Sequence, residues 1–182
     1  MPRDIVDAIL EDHDVVRQLF AQLEETPPEE RGDLFERIVY ELARHEAAEE
    51  SIVHPTLRDE VTGGEAVAAE VLEEESEAEQ LMADMEGMAP TGEEFLQAFR
   101  RLRDDVLEHA EHEERDEHPR LRQELSQQRL QEMAEGFAEL KENAPTRPHP
   151  KTPQTPEVRA TVGPIAAVFD RARDKVREVL SR

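Results

Sequence analysis

Along this chain apolar residues recur at alternating steps of three and four, the spacing of one face of an α-helix, in four successive stretches. The first covers about residues 4–25, where Val6, Ile9, His13, Val16, Phe20 and Leu23 share a face until Thr26-Pro27-Pro28 stops it. A second starts near Glu29 and carries Leu34, Ile38, Leu42, His45, Glu49 and Ile52, up to a kink or end at Pro55. Beyond the break at Thr62-Gly63-Gly64, a third is expected over residues 65–87, with Ala68, Val71, Glu75, Ala78, Met82 and Met85 as its stripe. Pro90-Thr91-Gly92 separates a fourth, with Thr91 as the expected cap and Glu94 three residues on. Its stripe is Phe95, Phe99, Leu102, Val106, His109 and Glu113.

These stretches are two copies of one hairpin. His45-x3-Glu49-Glu50-x3-His54-Pro55-x-Leu57-Arg58 recurs as His109-x3-Glu113-Glu114-x3-His118-Pro119-x-Leu121-Arg122, every matched residue 64 positions later. The first and third helices align at an offset of 62, which sets Ile9 on Val71, Val16 on Ala78, Phe20 on Met82 and His13 on Glu75. Each copy therefore interrupts its apolar stripe once on the first helix and with a His-x3-Glu pair on the second. Residues four apart on a helix have Cβ atoms about 5–6 Å apart, so each pair can offer an imidazole nitrogen and a carboxylate to one point. Burying a lone charge is costly unless it is paired or bound to a metal. His13, His45, Glu49, Glu75, His109 and Glu113 thus point inward toward a common partner, as helical bundles arrange side chains around a metal.

Past Pro119 the pattern resumes as a further helix over about 120–142, through Leu121, Leu125, Leu130, Met133, Phe137 and Leu140. It has no inward polar interruption, and a packing role is expected. Residues 145–156 hold Pro145, Pro148, Pro150, Pro153 and Pro156 and read as an extended linker. From Pro164 on, Ile165, Val168, Phe169, Ala172, Val176, Val179 and Leu180 form a short amphipathic pattern that docks back on the bundle or meets a protein partner of unknown identity. The expected division is a helical bundle over 1–144 and a linker with terminal helix over 145–182.

Composition narrows this reading to an all-α protein. Among 182 residues there are no tryptophans, one tyrosine and seven glycines, a profile that suits helices better than sheets. Forty-five acidic against 22 basic side chains leave a net charge of −23, which argues against nucleic acid and anionic membrane surfaces as partners. Without cysteine there is neither a thiolate ligand nor a cysteine nucleophile. The N-terminus lacks a secretory pattern, and no run approaches the ~20 apolar residues of a membrane span, so a cytoplasmic location is expected. Three histidines and three glutamates without sulfur suit iron or manganese, with zinc as an alternative.

The order His13, then His45-x3-Glu49, then a ligand position on the third helix, then His109-x3-Glu113 resembles the bacterial hemerythrin-like HHE cation-binding family over about residues 4–122. The Pro-Thr-Arg-Pro-His-Pro linker is similar to C-terminal extensions of bacterial members. This resemblance implies an up-down four-helix bundle, here with an additional helix, that holds two non-haem irons bridged by oxygen (Fe–O–Fe). It also implies Glu49 and Glu113 as bridging carboxylates and His13, His45 and His109 as terminal ligands. The third helix of the family usually offers a histidine, and Glu75 is taken as the ligand in its place.

A third carboxylate makes the ligand set harder and more negative. That favours ferric iron, and with it oxidative chemistry or peroxide consumption over reversible O2 carriage. The expected partner is accordingly a small oxidant: O2, peroxide or NO. The competing readings are an iron-dependent sensor or scavenger signalling through the tail, and a metal-free acidic adaptor. His54, His112, His118 and His149 are read as structural or solvated, with His54 and His118 near terminal carbonyls at helix ends. Glu46, Glu50 and Glu114 either orient imidazoles or lie on a solvated face, the latter being favoured. Tyr40 is expected in the core.

Overall fold

A computed structural model describes residues 3–143, so the Pro-rich linker, the terminal amphipathic stretch and His149 lie outside the described residues. Within them the chain is helical: α1 (Ile5–Glu25), a 3-10 turn at Pro28–Glu30, α2 (Arg31–Ala48), α3 (His54–Glu60), α4 (Gly64–Met85), α5 (Glu93–His112), α6 (His118–Glu124) and α7 (Gln127–Asn143). α1 and α2 form one hairpin, α4 and α5 the other, and α7 packs along α1 and α2. No helix among the described residues is long and apolar enough to cross a membrane.

The second and fourth stripes do not end at their prolines. α2 passes into α3 through a π-helical turn at Glu49–Val53, and α5 into α6 through an equivalent turn at Glu113–Glu117. In each turn a hydrogen bond slips to the fifth residue back: the His54 N–H reaches the Glu49 carbonyl, and the His118 N–H the Glu113 carbonyl. Pro55 and Pro119 come next, in the first turn of the resumed helix, where the missing N–H is tolerated.

The helix expected over about 120–142 is broken. α6 ends at Leu125, whose backbone is extended, and Ser126 restarts the chain by accepting the Arg129 N–H on its hydroxyl at 3.2 Å. At the start of α5 it is Gly92, not Thr91, that occupies the cap position, with no side-chain hydrogen bond. Between α3 and α4 the chain reverses on Gly63, at φ +73°, and Gly64, whose hydrogen lies against the Leu57 carbonyl.

Two apolar clusters fill the interior. One holds Ile5, Ile9, Val53, Leu57, Val71, Leu121, Met133 and Phe137, the other Val16, Phe20, Leu23, Ile38, Leu42, Ala78, Met82, Phe95, Phe99 and Val106. On α1 His13 lies between Ile9 of the first cluster and Val16 of the second, and on α4 Glu75 lies between Val71 and Ala78 in the same way. The polar interruptions therefore stack into a single layer across the middle of the bundle.

Candidate metal centre

That layer buries five histidines and five glutamates: His13, His45, His54, His109 and His118 with Glu46, Glu49, Glu75, Glu113 and Glu117. Glu49, Glu113 and Glu117 have no exposed surface. Donor atoms of His13, His45, Glu49 and Glu113 all lie within 4.8 Å of one another, and those of Glu49, Glu75, His109 and Glu113 do likewise. The two groups share Glu49 and Glu113, so the six residues of the inward stripes converge on two adjacent positions with those carboxylates common to both.

Individual distances fit that arrangement. His45 Nε2 is 3.1 Å from Glu49 Oε2, and His13 Nε2 is 3.2 Å from Glu113 Oε2. On the other side His109 Nε2 is 3.5 Å from Glu113 Oε1. The outward ring nitrogens are held by carboxylates on neighbouring helices: Asp12 at 3.2 Å from His45 Nδ1, Glu74 at 2.9 Å from His109 Nδ1, and Glu114 at 2.8 Å from His13 Nδ1. With Nδ1–H donating outward, each Nε2 faces the layer, the tautomer that a metal ligand needs.

Electrostatics give the layer a need for positive charge. Burial and then the neighbouring Glu46, Glu49 and Glu113 push the Glu75 carboxyl well above its ordinary range, and burial with Glu113 and Glu49 does the same to Glu117. Burial opposes charge on His109, but Glu113 and Glu74 outweigh it and raise that imidazole to about 9. Burial also lowers His54 and His118. Neither oxygen of Glu49, Glu113 or Glu117 has a hydrogen-bond partner of good geometry, although nearly all buried polar groups find one. Oxygen and imidazole donors buried, clustered and short of well-aligned hydrogen bonds fit cations of the iron, manganese or zinc class.

Several residues sit otherwise than expected. His54 and His118 do not serve helix ends: both are buried in the layer, with His54 Nε2 3.4 Å from Glu75 Oε1 and the His118 ring stacked 6.0 Å from that of His13. Glu46 is buried rather than solvated, and Glu114 joins His13 to Arg17 instead of facing water. Glu50 is half-buried. His112 is bound to Glu74 at 3.0 Å. Tyr40 is 38% exposed, with the Arg44 guanidinium over its ring at 4.8 Å, away from the layer and not in the core. Glu117 stands where the first copy has Val53; four residues after Glu113 it continues the helical stripe, but the repeat gives it no polar counterpart.

Comparison with known proteins agrees with this geometry. The family model described as the hemerythrin HHE cation binding domain matches residues 4–121. An uncharacterised hemerythrin-like protein of Schizosaccharomyces pombe is 28% identical over 179 residues, covering 96% of this chain and 87% of that protein. A DNA nickase of Nostoc is 30% identical over 139 residues, 76% of this chain but only 39% of the nickase. In fold, the chain is similar to a hemerythrin HHE cation binding domain-containing protein of Mycobacterium kansasii, with a TM-score of 0.69, 22% identity, and 77% of this chain and 86% of that one covered. The tandem hairpins, the buried histidine and glutamate layer and the match over residues 4–121 together make this chain a member of the hemerythrin HHE cation-binding family.

Proposed function

We propose that the layer holds two iron ions and that the protein binds or reduces a small oxidant, O2, peroxide or NO, in the cytoplasm. The observation that carries this is the sharing of Glu49 and Glu113 between two donor groups, with no hydrogen bond of good geometry to either carboxylate. His13 and His45 would hold one ion and Glu75 and His109 the other, with His118 beside the first and His54 beside the second. Iron bound there supplies one-electron redox chemistry toward the oxidant.

The chain's own part is to leave a small, mostly apolar space beside the layer. A cavity of about 20 Å³ abuts the layer, lined by Val16, Leu42, Val106, Leu107 and Ala110 together with His13, His45, Glu46 and His109. That is room for roughly one water-sized molecule, with mostly apolar walls. Glu46 is the acidic side chain on that wall outside the six stripe residues. DNA nicking is not carried over from the Nostoc relative, given the net charge of −23.

The test is oxidant consumption by iron-loaded protein against its Glu49→Gln variant. The wild type is expected to consume peroxide or O2 and the variant to lose both iron and activity. An iron-loaded wild type inert to O2, peroxide and NO alike would contradict the oxidant reading.

A further inference from the structure

The family match ends at residue 121, yet α7, which begins at Gln127, reaches one of the histidines of the layer. Lys141 Nζ donates to Asp12 Oδ2 at 2.5 Å, and the same oxygen lies 3.2 Å from His45 Nδ1. Side-chain exposures of 14% for Lys141, 17% for Asp12 and 6% for His45 keep this chain of contacts largely out of water. α7 is held in place at the same level: Arg44 Nε donates to the Lys141 carbonyl at 2.6 Å, and the Phe137 ring meets the His45 ring edge-on at 6.0 Å.

The repeat supplies an internal control. Asp12 and Glu74 are equivalent at the offset of 62, and His45 and His109 at the offset of 64. Glu74 is held by His109 and His112, at 2.9 and 3.0 Å. Among the described residues the two halves build the same carboxylate–imidazole contact, but in the first the carboxylate is also fixed by an ammonium from outside the matched domain.

We propose that Lys141 is a positioning residue for one of two cation positions: through Asp12 it fixes the His45 ring with Nε2 facing Glu49, so α7 completes that position while the other is built without it. The inference rests on the metal-centre reading above. A half-buried carboxylate that loses its ammonium is free to turn toward water, and His45 then loses the acceptor that sets its ring. Outer partners of this kind commonly change metal affinity by about 10–100-fold.

The experiment titrates cobalt(II) into the metal-free full chain of the wild type, Lys141→Met and Lys141→Arg. Exchangeable, paramagnetically shifted imidazole N–H signals are tracked beside the visible absorption. Wild type is expected to take up two cobalt ions. Lys141→Met should keep one at unchanged affinity, bind the other roughly 10–100-fold more weakly, lose one shifted N–H signal and retain its metal-free helix content. Lys141→Arg should restore the weakened position. Two wild-type affinities in Lys141→Met would overturn the proposal, as would equal weakening at both positions that Lys141→Arg does not rescue, since that marks a merely structural helix. A wild-type chain that takes up no cobalt would overturn the metal-centre reading and this inference with it.

Discussion

Glu75 is the residue on which the character of the centre turns. It is 1% exposed, lies among Glu46, Glu49 and Glu113, and occupies the place that His13 holds in the other half. As a ligand, a carboxylate there would give one of the two proposed cation positions a harder, more negative donor set than the other. Glu75→Ala should therefore lose one of two irons in metal analysis, and Glu75→His should keep both while raising the reduction potential measured by redox titration. Retention of both irons at unchanged potential in Glu75→Ala would remove Glu75 from the ligand set.

A second residue-scale prediction concerns Asp4, which caps α1. Its carboxylate accepts the Asp7 N–H at 3.0 Å and two hydrogen bonds from Arg122, at 2.9 and 3.1 Å, while the Asp7 side chain accepts the Asp4 N–H in return. Burial pushes the Asp4 carboxyl up, but Arg122 and the Asp7 N–H outweigh it and hold it below the usual 3.8. A carboxyl depressed in the folded state stabilises fully above its unfolded value and loses that contribution as pH falls through the folded one. Asp4→Ala should cost about 1–2 kcal/mol in urea unfolding at neutral pH. The difference from wild type should shrink as the pH falls below the ordinary 3.8 and through the lower folded value.

At the scale of elements, the π turns explain what the periodicity could not convey. His54 stands nine residues after His45, which at about 100° per residue puts it half a turn away, on the outer face. The extra residue accommodated at Glu49–Val53 rotates α3 and its His54 back toward the layer, and Glu113–Glu117 does the same for α6 and His118. An α-helical stripe thus places the residues up to Glu49 and Glu113 correctly on inward faces and misplaces the histidines beyond them. Glu46 escapes a reading by pattern because it neighbours a ligand position in an acidic run, where charge alone suggests solvent. Lys141 is hidden for a different reason: a lysine on an otherwise regular amphipathic helix gives no signal until α7 is seen to pack against α1 and α2.

The turn between α3 and α4 offers a test of how the first copy is joined to the second. A Cβ built on Gly64 would sit 1.9 Å from the Leu57 carbonyl oxygen, a backbone atom that cannot move without shifting α3, whereas nothing lies within 4 Å of one built on Gly87. Gly64→Ala is expected to destabilise the fold by about 3 kcal/mol or more, with Gly87→Ala within about 0.5 kcal/mol of wild type, both read by chemical unfolding. Equal effects would mean that the α3–α4 junction yields easily.

For the molecule as a whole, the two-copy architecture and the six converging stripe positions are legible from the repeat, because a duplicated hairpin must bury equivalent faces together. The asymmetries are less so. Glu117 stands where the first copy has Val53, Glu75 where it has His13, and α7 packs chiefly along α1 and α2, so the two halves of the layer are chemically distinct despite the repeat. Carboxylates buried between two apolar clusters are also a liability without cations: a buried charge whose partner is removed costs about 3–5 kcal/mol. Bound cations should therefore stabilise the fold by linkage.

Metal analysis of the full chain produced in iron-replete medium, with thermal unfolding before and after chelation, decides whether the buried layer is a two-iron site, as proposed. About two irons per chain are expected, with a lower unfolding midpoint once they are stripped. A chain that carries no iron and unfolds at the same temperature with and without chelator would contradict it.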